Sequence, residues 1–164
     1  MKIITTDGSN TPTGTDTRLG AFTLFARLKS DAYWLSLMSL PSDTYLTSGV
    51  YSFTSAITNK AFDITDGSLS PGTKIQLYNK NNTSAQQWYL QYDSDGYYTI
   101  RNIASGRYVD SANGGTMNGN PIQMWDGNGS CAQKWSIRLS ADGYVVSNKC
   151  SGKVIDLPNS STAS

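Results

Sequence analysis

From residue 49 onward the chain breaks into short runs of alternating apolar and polar positions, punctuated by Gly, Asn, Asp, Ser and Thr. Alternation of this kind predicts half-buried β-strands separated by turns. Three runs open alike: Gly49-Val50-Tyr51-Ser52-Phe53-Thr54-Ser55, Gly96-Tyr97-Tyr98-Thr99-Ile100-Arg101-Asn102 and Gly143-Tyr144-Val145-Val146-Ser147-Asn148. Asp95 and Asp142 precede the second and third glycines and supply turn chemistry. A second short strand carrying an aspartate follows each opener: Ala61-Phe62-Asp63-Ile64, Tyr108-Val109-Asp110 and Val154-Ile155-Asp156, spaced by 47 and 46 residues. After a Gly-containing turn, Ile75-Gln76-Leu77-Tyr78 and Ile122-Gln123-Met124-Trp125 read as a third strand ending in an aromatic. A polar loop then leads to Gln86-Gln87-Trp88 in one unit and Gln133-Lys134-Trp135 in the next. The chain therefore holds two complete four-strand units and the first half of a third, one supersecondary block copied in series.

Residues 1–48 do not follow the repeat and remain an unassigned segment: linker, upstream remnant or added strands. Gly8–Thr17 is small and polar, as linkers are. Ala21–Lys29 fits a strand or a buried helical turn, and Ser30–Asp31 could cap a short helix ending before Pro41, with a strand as the equal alternative. A repeat lacking half a unit exposes strand edges. The expected remedies are a longer parent protein, strands contributed by the N-terminal segment, or another domain or chain completing the third unit.

Composition narrows the chemistry. Net charge is +1 with 15% charged residues, so no basic face suits nucleic acid or an anionic membrane. There is no histidine, and all twelve acidic residues are aspartates; the commonest general base and metal ligand is missing, and no metal or cofactor is expected. No apolar run approaches the roughly 18 residues of a membrane span. Met1–Asp7 turns polar too early for a secretory leader. Asp93-Ser94-Asp95-Gly96 reads as a turn, because it lacks the ligand series of a calcium loop. Cys131 and Cys150 are the only cysteines, and are read as one bridge, two buried free thiols being the alternative.

The paired Gln-x-Trp copies, the two Ile-Gln-[Leu/Met]-aromatic strands and the three aspartates in step resemble the ricin-B-type lectins over residues 49–160. That resemblance implies an all-β β-trefoil, with residues 49–164 as the lectin domain, incomplete in its third lobe. It also implies non-catalytic binding of carbohydrate, of galactose type or another hexose or pentose glycan. A sugar presents vicinal hydroxyls on its edge and C–H groups on one face, so a carboxylate, amides and an exposed aromatic suit it. By the resemblance Asp63 with Tyr78, and Asp110 with Trp125, grip the hydroxyls and stack on the ring. Asn81 and Asn128 stand where a further polar contact is made. Gln86 and Gln133 complete each set or brace the aspartate. Ala85 and Ala132 stand where galactose-binding relatives carry asparagine, so one amide hydrogen bond is missing from each site. Trp88 and Trp135 are expected in the core, Gln76 and Gln123 on buried backbone groups, and Asp66 and Asn113 near the ligand. Asp156 has no aromatic partner, and no site is expected around it.

Three functions compete. A binding module that targets a parent enzyme or cell-surface protein leads, in a secreted or cell-surface setting, where Asn-x-Ser/Thr at Asn81, Asn82, Asn128 and Asn159 bears on whether glycans cover the sites. A β-trefoil for protein interaction or structure, without sugar binding, is the alternative. A glycoside hydrolase needs two carboxylates about 5–10 Å apart across one bond, and the repeated aspartates lie in different units.

Overall fold

The computed structural model describes residues 2–5, 45–140 and 143–156. The sequence readings of Gly8–Thr17, Ala21–Lys29, Ser30–Pro41, Asp142 and Asn159 fall outside these residues. Ten strands are described: β1 (Lys2–Thr5), β2 (Gly49–Thr54), β3 (Ala61–Ile64), β4 (Ile75–Tyr78), β5 (Trp88–Tyr92), β6 (Tyr98–Asn102), β7 (Tyr108–Ser111), β8 (Ile122–Trp125), β9 (Trp135–Ser140) and β10 (Gly143–Asn148). Between them lie 3-10 turns at Thr65–Gly67, Ser84–Gln86, Ala112–Gly114 and Cys131–Gln133.

Every pairing is antiparallel, as short loops between consecutive strands require. The main path runs β10-β9-β6-β5-β2-β3-β4, with β7 attached to β6 and β8 to β7. Strands β2–β5 and β6–β9 repeat one order of four strands and are called the first and second lobes below. The third unit begins with β10, paired with β9 along its length. Its expected second strand is reduced to a single bridge, Ser147 to Val154. Strand β1 pairs with β2 from Lys2↔Thr54 to Thr5↔Tyr51, so the N-terminal residues occupy the side of β2 opposite β5.

Alternation places one face of each strand inward. Trp88 and Trp135 are fully buried, as expected, among Phe53, Phe62, Leu90, Ile100, Val109, Met124 and Val146. Each indole keeps its polar edge satisfied, Trp88 Nε1 donating to the Phe62 carbonyl and Trp135 Nε1 to that of Val109, both at 3.0 Å. Phe62 packs between Phe53 and Trp88, with centroids 5.9 and 5.0 Å away. Residues ahead of Gly49 already join this core: Leu46 is buried, and its carbonyl accepts the Tyr98 hydroxyl at 3.0 Å.

The lobes are tied by backbone and charge. Gly72 N–H donates to the Met124 carbonyl at 2.7 Å, and Met124 N–H to that of Thr73 at 2.8 Å. Arg107 reaches the Leu69 carbonyl and forms a 2.9 Å ion pair with Asp126, not aligned as a directed hydrogen bond. Cys131 and Cys150 form the expected disulfide, tying the Cys131–Gln133 turn to the residues after β10. The Asp93–Gly96 segment is a turn whose carboxylates take lysines: Lys134 Nζ lies 3.3 Å from Asp93 and 2.7 Å from Asp95, and Lys149 Nζ 2.7 Å from Asp95. Hydrogen bonds from Lys134 and Lys149 hold the Asp95 carboxyl down at about 2. Asp156 lines a cavity of about 440 Å³ beside Met117, Ile122 and Ile155, apart from the other two aspartates.

Candidate functional sites in the first two lobes

Hairpin registers decide what meets at each site. In the first lobe Asp63 pairs across with Gln76 and Ala61 with Tyr78. In the second, Asp110 pairs with Gln123 and Tyr108 with Trp125. Cross-strand partners share a face, and so do residues two apart. Aspartate, glutamine and aromatic thus project together, while Phe62 and Val109 point the other way into the core.

Asp63 is 4% exposed, and so is Asp110. A carboxylate buried this far needs hydrogen bonds. Asp63 Oδ1 accepts Gln76 Nε2 at 3.0 Å and its Oδ2 accepts Gln86 Nε2 at 3.0 Å. Asp110 repeats this with Gln123 at 3.1 Å and Gln133 at 3.2 Å. The glutamines of Gln-x-Trp are themselves locked. Gln86 Nε2 also donates to the Asn79 carbonyl at 2.9 Å, and its Oε1 accepts Asn81 N–H at 3.0 Å. Gln133 does the same with the Asp126 carbonyl at 2.9 Å and Asn128 N–H at 2.9 Å. The 3-10 turns carrying these glutamines are pinned from behind: Asn102 Nδ2 donates to the carbonyls of Ser84, Ala85 and Gln87, and Asn148 Nδ2 to those of Cys131, Ala132 and Lys134.

A carboxylate offers about four acceptor positions. The amides take two at each aspartate, which leaves two for hydroxyl donors. On the same face, two residues along the strand from Gln76 or Gln123, stands the aromatic, Tyr78 being 50% and Trp125 41% exposed. In the second lobe Asp110, Asn113, Gln123, Trp125, Asn128 and Ala132 line one open cavity of about 620 Å³, with the Cys131–Cys150 bridge as part of its wall. Asn81 and Asn128 are exposed, and their Oδ1 atoms fold back onto Thr83 N–H at 3.1 Å and Ser130 N–H at 3.0 Å.

Two placements depart from the sequence reading. Gln76 and Gln123 bond the aspartate side chains, where the sequence suggested buried backbone groups. Counting the hairpin register back from the Gly72 and Gly119 turns would have put each glutamine opposite its aspartate. The disulfide wall was also missed as a part of the site, because the cysteines lie in the loop beyond the aromatic strand and after β10.

The ricin-type β-trefoil lectin-like domain model matches residues 34–125 and 84–164. The chain belongs to this family. No curated protein sequence matches it. Among solved structures, the designed three-fold symmetric protein ThreeFoil is 30% identical, with a TM-score of 0.67, over 70% of this chain and 82% of that one. An exo-β-1,3-galactanase from Clostridium thermocellum is likewise 30% identical, with a TM-score of 0.64, over 75% of this chain and 26% of the enzyme. The Rhizoctonia solani agglutinin, 24% identical with a TM-score of 0.61 over 74% of this chain and 83% of that one, shares the fold. The ricin-type chain described here is therefore an all-β lectin-like trefoil, and no described helix is long and apolar enough to cross a membrane.

Proposed function

We propose that residues 49–164 form a non-catalytic carbohydrate-binding module with one shallow site in each complete lobe. The observation that carries this reading is the buried carboxylate held by two glutamine amides beneath a half-exposed aromatic, built twice. Asp63 and Asp110 accept two sugar hydroxyls, while Tyr78 and Trp125 cover the C–H face of the ring. Asn81 and Asn128 add contacts from the loop. Gln86 and Gln133 act as positioning residues, since they are 2% and 1% exposed and their amides are already engaged. Hydrolysis is disfavoured because each floor holds a single braced carboxylate, and Asp66, only three residues beyond Asp63, is too local to stand across a bond from it.

Ala85 and Ala132 supply no side-chain amide, so each site is weak alone, and two sites on one body gain through effective concentration. Such a module delivers a parent enzyme or surface protein to a glycan, in a secreted or cell-surface setting that suits the disulfide. A glycan array with the intact protein and with Asp63→Ala plus Asp110→Ala tests the reading. Glycan binding that disappears in the double variant while the protein remains folded is expected, with some loss of stability from the four freed glutamine amides. Absence of binding to any glycan at high protein concentration would favour the protein-interaction alternative.

A further inference from the structure

The two sites share a floor but differ in charge at the rim. Three residues after each aspartate, the 3-10 turn places one residue in the left-handed region: Asp66 at φ 56°, ψ 17° and Asn113 at φ 55°, ψ 17°. Left-handed backbone of this kind suits both Asp and Asn. Their φ and ψ agree within a degree, so the Cα–Cβ bonds leave the two turns in the same direction. Asn113 lines the second lobe's cavity together with Asp110 and Trp125. By the repeat, Asp66 occupies the corresponding rim beside Asp63 and Tyr78. It is exposed, and no described ion pair involves it. The other charge on this rim, Lys80, directs its ammonium onto Asn59 Oδ1 at 2.9 Å. In the second lobe Gly127 replaces Lys80, backed by Tyr108, and Asp126 is ion-paired with Arg107.

We propose that Asp66 and Asn113 divide the two sites by ligand charge. The first-lobe site takes sugars bearing a protonated amine and disfavours uronic and other acidic sugars; the second-lobe site discriminates less by charge. The inference rests on the carbohydrate-binding reading and adds the ligand class of each site. A carboxylate beside the bound ring attracts an ammonium group and repels a second carboxylate. An amide of the same shape at the rim adds neither force, leaving only that of the floor carboxylate common to both sites.

Single-site proteins make the test. Trp125→Ala isolates the first lobe and Tyr78→Ala the second. Each is titrated at pH 6 and low salt with glucose, galactose and mannose, and with the 2-amino and uronic acid derivative of each. For the first lobe the amino sugar should bind about three- to ten-fold more tightly than the uronate, as expected for partly exposed charge pairs. That preference should fall to the second lobe's level in Asp66→Asn and shrink in concentrated salt. For the second lobe the ratio should be smaller than for the first, rising in Asn113→Asp. Neutral sugar binding with a ratio unmoved by either substitution would overturn the proposal while leaving the carbohydrate reading intact. Failure of every neutral sugar at both sites would overturn the carbohydrate reading, and this proposal with it.

Discussion

The first and second lobes repeat one machine with different lips. Below the surface they agree in detail: aspartate opposite glutamine across the hairpin, a second glutamine on the other oxygen, its carbonyl on an asparagine N–H, and an indole beneath donating to the strand backbone. At the rim they diverge: Tyr78 against Trp125, Asp66 against Asn113, Lys80 against Gly127. The disulfide walls only the second site; the matching turn in the first lobe begins with Ser84. Buried polar groups must be satisfied by each other, so changing one costs the whole network. Rim residues face water and change freely. The comparison separates residues that build a site from those that choose what it holds.

The largest effect should fall on what the lobes share. Trp135→Ala leaves a large cavity and strands the Val109 carbonyl, which predicts a loss of about 3–5 kcal/mol in denaturant unfolding. Trp88→Ala should match it; a much smaller loss for either would break the equivalence of the lobes. Reduction of Cys131–Cys150 should cost about 3 kcal/mol, as an 18-residue spacer suggests. It should also weaken sugar binding in the second lobe and spare the first, as read with the single-site proteins. Equal loss in both would show that the bridge supports the body and not the site. Gln133→Leu removes one partner of a buried carboxylate, predicting about 1–3 kcal/mol of lost stability and lost binding in that lobe alone. The smallest effect concerns Asp95. Its pKa is lowered to about 2 by Lys134 and Lys149, so its contribution to stability is present above the ordinary carboxylate value. That contribution disappears as pH falls from about 4 through 2. Asp95→Asn should flatten the acid limb of a melting-temperature profile slightly, less so in salt.

Much of this architecture was legible because the repeat is long and its chemistry strict. The 47-residue period located the strands, and Gln-x-Trp marked indoles that are fully buried. The aspartate–aromatic pairs could be read because strand parity puts both on one face. What failed to show was mostly register and partner choice. Gln76 and Gln123 resembled backbone-satisfying amides until the hairpins set them opposite carboxylates. Asn81 and Asn128 were read for their side chains, yet their N–H groups carry the link to the glutamines. Lys2–Thr5 was invisible as a strand because four residues give alternation no room, and its pairing depends on an edge of β2 distant in sequence. Val154-Ile155-Asp156 looked like its counterparts but forms only one bridge, since strand character depends on a neighbour as much as on residue type.

The central claim is that one braced carboxylate in each lobe holds a sugar. A titration of the intact protein with a neutral glycan drawn from the array, followed residue by residue by NMR, measures this directly. Two sets of shifts should saturate, one around Asp63 and Tyr78 and one around Asp110 and Trp125. Asp63→Asn should erase only the first and Asp110→Asn only the second, with the fold unchanged. Shifts centred elsewhere, or both sets surviving both substitutions, would contradict the account.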